Sequence, residues 1–577
     1  MNSKIFLVKK LLYYIKIYGF LEVYRVFCKR KNKKYELNDY KIYAKRKKAE
    51  KENFIAFRRE KEDISKEILI VRIGENCDVD VSFGIKTKSI FNVSEEDIKN
   101  FRYFLFMRED TFFLEDGLGY IYKTISKNKD YDFIYADSDN YISEDVKKIN
   151  REKVNSYIKN DEAYGIKNDE AYGIKNVIFY NPMFKPDFSP EYLEGYNYIG
   201  NAFLVSTKLC DIADFNEKNN DLWDFIFKYT EKAKKIYHLS EIVFHEIQNY
   251  NNISSENEIR TLEKHFKRLN EKVTIKKVKD HAYLVNKIPK NNPKISIVVP
   301  NKDHINDLKR CMDSFNKSTY KNIEWIIVEN NSEDEETFLF YDKISKEENV
   351  KVIYYKGHFN FSKISNIGAK ASKGELLLFL NNDTELLDKT SLEKMVGDIE
   401  RDNVGIVGAK LFYPDRTVQH AGVIVEVGGF ACHSSAYILE NEAGYMNRAL
   451  VTNDFSAVTA ACLLIKRDVF KIVGGFNEEL EVAANDVDLC MKVKNIGYRI
   501  ICEMGTDILH YESKSRGDDR KDVKKAKRLQ GEVDRFSEMW RKELIKGDPY
   551  YNKNLSRSMA YEIALKKQEW HRPFFYR

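Results

Sequence analysis

KISIVVPNKD (residues 294–303) and ELLLFLNND (residues 375–383) decide how this chain is read. In each, an apolar run of strand type ends in polar residues. The run 295–299 gives out at Pro300 and hands Asp303 to a loop; Leu376–Leu380 ends in Asn381, Asn382 and Asp383. Short apolar runs bounded by turn residues read as fully buried strands. In open α/β sheets, ligands bind beyond the carboxyl ends of the strands, and both runs place a carboxylate there. A third acid, Asp486, stands at the expected start of a helix in AANDVDLCMK (residues 483–492). Three acids so placed suit a cation-bound diphosphate and a reacting hydroxyl.

Outward from these strands the pattern alternates. A helix is expected over residues 305–315, a strand in IEWIIVENNS (323–332), a strand in VKVIYYK (350–356), and a helix of small residues in FSKISNIGAKAS (361–372). A further helix in DKTSLEKMVGDIER (388–401), with Asp388 as a cap, precedes a strand in VGIVGAKLFY (404–413). Strand–helix alternation of this kind predicts parallel strands with right-handed crossovers.

The whole chain has 577 residues, enough for about two to four domains. Apolar content of 43% and aromatic content of 13% supply real cores, so wholesale disorder is not expected. The formal charge is only +6, yet the first 50 residues carry fifteen Lys and Arg against four Asp and Glu. The remainder is mildly acidic, which disfavours nucleic acid as a partner. Residues 1–60 read as a basic amphipathic helical segment. KRKNKK (29–34) behind an apolar, lysine-interrupted stretch suits peripheral association with an anionic inner leaflet. No run of about 20 apolar residues occurs, so no spanning helix is expected, and no clean apolar core of signal-peptide type is present. The eight cysteines are scattered singly, which fits a reducing, cytoplasmic setting.

Residues 61–250 read as a first α/β unit, with strands at Ile68 and Tyr103, a helix over 114–128, and a strand in DFIYADSDNY (132–141). KNDEAYGI occurs twice without change, at 159–166 and 167–174. Eight residues are too few for a repeat with its own core, so this reads as a tandem insertion in a surface loop without a function. Residues 251–292 read as a linker, and 521–577 as a helical extension.

The ordered blocks KISIVVPNKD, VENNS, ISNIGAKASKGELLLFLNND, VTAACLLIKRDVFKIVGGFNE, NDVDLC and LHYESKSRG resemble family-2 glycosyltransferases of the GT-A fold. The likeness is greatest to the bacterial surface-polysaccharide, rhamnosyltransferase-like branch, and it covers about residues 293–520. The resemblance implies an α/β, Rossmann-like nucleotide-diphospho-sugar transferase domain. Asp486 corresponds to the catalytic base that deprotonates an acceptor hydroxyl in an inverting displacement. Asp383 ends the metal-binding motif, whose first acid is replaced here by Asn381. His510 corresponds to a residue that completes the shell of Mn2+ or Mg2+. Pro300, Asp303, Glu329, Asn331, Asn366, Asn381, Asn382 and Asp383 correspond to donor-binding positions, with Asp303 and Glu329 at the base and ribose. A carboxylate accepts the imide N–H of uracil and of thymine alike. Lys514 and Arg516 correspond to phosphate clamps on a closing loop.

The implied activity is transfer of a sugar from a UDP- or dTDP-linked donor to a lipid-linked cell-surface glycan such as O-antigen, capsule or cell-wall polysaccharide. The alternative is a catalytically weak glycan- or sugar-nucleotide-binding scaffold. A nucleotidyltransferase would carry a glycine-rich loop after its first strand, and PNKDHINDL has no glycine. A processive synthase is disfavoured by the absence of a QxxRW-like sequence and of membrane spans. Residues 132–206 of the first unit also resemble a family-2 unit, but a degenerate one. Arg108 and Asp110 stand where its metal strand would end, and Asp221 or Asp224 in NDLWDF could echo the base.

Overall fold

A computed structural model of the chain describes residues 41–44, 47, 66–74, 85–113, 115–128, 130–142, 163–166, 177–215, 221–246, 254–428, 430–511, 523–565 and 568. Most of the basic N-terminal segment, most of the octapeptide repeat, and Lys514 and Arg516 lie outside the described residues. Two compact units are present. The first takes its residues from 1–188, 197–270 and 551–569, the second from 189–196 and 271–550.

The first unit holds a sheet of β1 (Ile68–Ile73), β2 (Thr87–Ser89), β3 (Tyr103–Arg108), β4 (Thr111–Phe113), β5 (Phe133–Ile142), β6 (Ala163–Ile166), β7 (Val177–Met183), β8 (Ala202–Ser206) and β9 (Ile236–Glu246). Along the chain come helices α1 (Glu95–Asn100), α2 (Glu115–Lys127), α3 (Pro190–Gly195), α4 (Leu222–Lys232) and α5 (Ser255–Leu269). Of these, α3 belongs to the second unit although it falls inside the span read from sequence as the first. The reason is electrostatic: its buried Glu191 and Glu194 find their cations, Arg401 and Arg499, in the second unit. The octapeptide differs from the loop expected. Residues 163–166 of its first copy add to the sheet as β6 beside β7. The stretch read as a linker also carries structure, namely α5 and a hairpin of β10 (Val273–Lys279) and β11 (Ala282–Lys287).

The second sheet is ordered β14-β13-β12-β15-β22-β17-β23-β16. Its strands are β12 (Ile295–Asn301), β13 (Ile323–Glu329), β14 (Val350–Tyr354), β15 (Leu376–Leu380), β16 (Thr384–Leu386), β17 (Val404–Phe412), β22 (Cys462–Lys466) and β23 (Arg499–His510). The short strands β18 (Val418–His420), β19 (Val423–Val425), β20 (Ala431–His433) and β21 (Asn453–Asp454) flank it. Helices α6 (Ile305–Asn316), α7 (Glu335–Ile344), α8 (Phe361–Ala371), α9 (Ser391–Ile399), α10 (Arg467–Ile472) and α11 (Asn485–Asn495) connect the strands, and α12 (Val523–Met539) and α13 (Arg541–Lys546) come after them.

The first four strands are parallel, as the alternation predicts. β22 is not: it runs antiparallel to both β15 and β17. The chain leaves β17 at its carboxyl end and returns as β22 with no crossover helix to reverse it. Beneath this edge Ile297, Trp325, Leu378 and Leu464 are fully buried, and they join the helices in one core.

α8 lies close on β12 and β13 because Gly368 faces Val298 and Val328. A methyl there would stand 2.3 Å from Val298 Cγ1 and 3.1 Å from Val328 Cγ2. Alanine would gain about 1 kcal/mol in helix propensity but would overpack the contact by about 1–3 kcal/mol. Gly368→Ala is therefore expected to be net destabilising, by about 1 kcal/mol, read as a lower urea midpoint.

The two sheets share one topology. β2-β1-β3-β8-β5-β9-β4 repeats β13-β12-β15-β22-β17-β23-β16 with the same strand direction at every pairing. The register repeats too. Arg108 N–H donates to Asn201 O at 3.1 Å in the first, and Asn381 N–H to Ala461 O at 3.0 Å in the second.

Candidate active site

The carboxyl ends of β12 and β13 lie in register, Pro300 beside Val328 and Asn301 beside Glu329. Beyond them Asp303 has a left-handed backbone, φ +50°. Its Oδ1 accepts from the N–H groups of Glu333 (2.8 Å) and Asp334 (3.0 Å), while among the described residues Oδ2 receives no hydrogen bond. One carboxylate oxygen thus builds the loop. Glu329 is buried, and its carboxylate accepts from Ser332 N–H, the Ser332 hydroxyl and, at 2.9 Å, the Tyr341 hydroxyl. Burial of the phenol and the adjacent carboxylate push Tyr341 well above its usual range. Asn331, also left-handed at φ +58°, donates to Gly357 O at 2.8 Å. Pro300, Asp303, Glu329 and Asn331 therefore meet at one strand edge.

Asn381, Asn382 and Asp383 leave the end of β15, next to β12. Asn382 Nδ2 donates to Asn301 Oδ1 at 2.6 Å, and Asn301 Nδ2 in turn reaches Asp303 O and the Tyr341 hydroxyl. Asp383 Oδ1 lies 3.2 Å from His510 Nε2, since β16 pairs Thr384 with His510. Asn381 Nδ2 is 3.1 Å from the same ring nitrogen. On the ring's other side, His510 Nδ1 is 2.7 Å from Gln419 Oε1.

Asp486 is the second residue of α11, after Ala484 at φ +61°. Its Oδ1 accepts from Val487 N–H at 2.8 Å and its Oδ2 from Ala460 N–H at 3.2 Å. The neighbouring residue Ala461 is the one whose carbonyl receives Asn381 N–H. Two consecutive residues therefore bridge the base candidate and the Asn381–Asp383 turn. Asp488 points elsewhere: it is buried, accepts from Trp540 Nε1 at 2.9 Å and pairs with Lys492 at 2.8 Å. Asn366 clasps the backbone of Phe476 through both ends of its amide, at 3.0 Å each, and so holds the loop that precedes Asp486.

Among the described residues no group of three or more His, Cys, Asp and Glu side chains surrounds a metal-sized point. Asp383 and His510 offer two donor atoms. That suits a cation which completes its shell with substrate phosphates and water rather than in an all-protein cage. Sequence reasoning missed Gln419 and the Asn301–Asn382 bond. No spacing rule points to them, because they join residues 91 and 81 positions apart.

Residues 296–473 match the family model described as Glycosyl transferase family 2. The chain carries a family-2 glycosyltransferase domain. Its α/β sheet has the GT-A arrangement, with the acids at the carboxyl edge of the parallel strands. The chain is 33% identical over 407 residues to the uncharacterized protein y4gI of Sinorhizobium fredii, covering 67% of this chain and 44% of that protein. It is 33% identical over 392 residues to the O-antigen biosynthesis protein RfbC of Myxococcus xanthus, covering 65% and 30%. The chain thus spans less than half the length of either relative. Among solved structures, the mannosyltransferase PcManGT from Pyrobaculum calidifontis, in complex with GDP-Man and Mn2+, is similar at TM-score 0.33. The identity is 16%, over 44% of this chain and 66% of that one.

Among the described residues no helix is long and apolar enough to cross a membrane, and the described cysteines are free.

Proposed function

We propose that the family-2 domain transfers a sugar, with inversion, from a UDP- or dTDP-linked donor to a hydroxyl of a growing, lipid-linked cell-surface glycan. The observation that carries this is the shared Ala460–Ala461 rung, which links Asp486 to the Asn381–Asp383 turn. Asp486 is the base. Fixed by two backbone N–H groups, its carboxylate takes the proton as the acceptor oxygen attacks the anomeric carbon. Asp303 Oδ2 receives the imide N–H of the nucleobase. Pro300, Glu329 and Asn331 shape the floor beneath it, and Asn366 orders the loop ahead of the base. Asp383 and His510 would hold Mn2+ or Mg2+, which when bound offsets the negative charge growing on the departing diphosphate. Lys514 and Arg516 add basic groups on the segment after β23. The basic segment 1–60 supports an inner-leaflet setting for a lipid-linked acceptor.

We read the first unit as a degenerate copy of the same fold that does no transfer. In the shared register Arg108 and Asp110 take the places of Asn381 and Asp383, and Glu246 that of His510. Arg108 pairs with Asp110 at 2.9 Å, so a fixed guanidinium already neutralises the acid in the Asp383 position. The IYADSD acids turn inward: Asp137 is held by His238 and Asn552, and Asp139 by His245. Asp221 caps α4, donating no carboxylate to a cleft of its own.

A donor panel of UDP-glucose, UDP-galactose and dTDP-rhamnose, assayed with and without Mn2+, tests the proposal. Cation-dependent turnover of one donor class is expected, with one Mn2+ bound per chain. Asp383→Ala should weaken donor binding by about tenfold or more, the 1.4 kcal/mol of one lost charged contact. Donor binding without turnover across a panel of glycan acceptors would instead identify a scaffold.

A further inference from the structure

We infer that Gln419 is a positioning residue: it fixes the tautomer of His510 and so turns an unprotonated ring nitrogen toward Asp383. The inference rests on the reading of Asp383 and His510 as the cation-holding pair.

Donors and acceptors decide the tautomer. Gln419 lies on β18 and its side chain touches His510 twice. Its Nε2 is 3.4 Å from the His510 backbone carbonyl, and its Oε1 is 2.7 Å from His510 Nδ1. A carbonyl oxygen can only accept, so the amide end facing it must be the NH2. That leaves the amide oxygen facing Nδ1, and an oxygen without a proton can only accept as well. Nδ1 must therefore carry the ring N–H.

A neutral imidazole with its proton on Nδ1 has a bare lone pair on Nε2. That is the atom which faces Asp383 Oδ1 at 3.2 Å and receives Asn381 Nδ2 at 3.1 Å. Two lone-pair atoms so close make a seat for a cation, whether proton or metal ion. Asn381, standing where the family has an acid, supplies an N–H that occupies the nitrogen in the cation's absence.

Gln419 is buried, and the bond it makes crosses from β18 to β23, which lie on either side of β17. Among the described residues the ring is thus oriented by the sheet itself. Partners that receive the second N–H of a ligating histidine orient the ring and raise its basicity. Losing one typically lowers metal affinity about 10–100-fold.

The test is Mn2+ binding to the full chain, read two ways: by the electron paramagnetic resonance signal of free Mn2+, and by the 14N imidazole modulation of bound Mn2+ in pulsed spectra. Gln419→Met keeps the volume and removes the acceptor. It is expected to raise the Mn2+ Kd about 10–100-fold and to weaken or abolish the imidazole modulation. Gln419→Glu keeps an acceptor for Nδ1–H and should retain the modulation, with a Kd within about threefold of the parent. Its recovery separates lost positioning from a damaged fold. Gln419→Met with parental affinity and modulation would overturn the inference. Gln419→Glu behaving like Gln419→Met would overturn it too. A parent chain showing no imidazole modulation, with His510→Ala leaving Mn2+ affinity unchanged, would instead sink the cation-site reading on which it rests.

Discussion

Asp486→Asn is expected to slow sugar transfer by about 10²–10⁴-fold, the usual worth of a positioned general base, while donor affinity stays within about threefold. Asparagine is isosteric, and its amide oxygen can still accept from Ala460 N–H. The Val487 N–H would then face an NH2 group and lose its partner. That fault lies at the first turn of α11 and leaves the donor side untouched, because the proposed function gives the donor's cation and nucleobase to Asp383, His510 and Asp303. Nucleotide release under saturating donor gives kcat, and calorimetry gives donor Kd. Turnover retained within tenfold would remove Asp486 as the base. Asp488→Asn is the control: its partners, Trp540 and Lys492, are structural, so transfer should fall only a few-fold.

Much of this cleft was legible in the sequence because it is built on buried parallel strands. Runs such as Leu376–Leu380 can hardly be anything else, and the residues just past their carboxyl ends must emerge at the ligand edge. Asp303, Asp383 and the residues at the end of β13 were found that way. His510 came from the ordered resemblance; the pattern placed Asp486 at the start of a helix, and only the resemblance made it the base. Lateral relations could not be read. Gln419 acts on a residue 91 positions away, across a strand that pairs with both their elements. The antiparallel entry of β22 comes from the excursion over residues 413–461, which carries no periodicity that announces its direction. Membership of α3 in the second unit is equally invisible. PEYLEG looks like any short helix, and only the buried cations reveal where its two glutamates lie.

Those glutamates carry the other large expected effect, which is on stability. Glu191 and Asp454 are buried with no exposed side-chain surface, and Arg499 lies between them. Its guanidinium donates to Glu191 Oε1 at 2.9 Å and to Asp454 at 3.0 and 3.1 Å, and Ser189 adds a hydroxyl to Asp454. Arg401 donates to the same Oε1 of Glu191 at 2.6 Å. Burial would lift the Glu191 carboxyl, but the two arginines more than offset it and hold it well below the ordinary range. Burial and the charge of Glu191 push Asp454 the other way, up to about 7. Removing the cation from a buried pair leaves uncompensated charge, which costs about 3–5 kcal/mol. Arg499→Met is expected to destabilise the second unit by that amount at pH 8, read by urea unfolding with hydrogen exchange of β17 and β23 peptides.

The pH dependence has a definite sign. An acid whose folded pKa is raised stabilises the fold when protonated, and that contribution is lost as pH rises from the unfolded value near 4 through the folded value. Without Arg499 the pKa of Asp454 moves higher still, so at pH 5 it is neutral and Glu191 keeps Arg401. The destabilisation should therefore be smaller at pH 5 than at pH 8. A loss below about 1 kcal/mol, equal at both pH values, would mean that the network behaves as a solvent-screened surface cluster and not as the buried lock that ties α3 to the second unit.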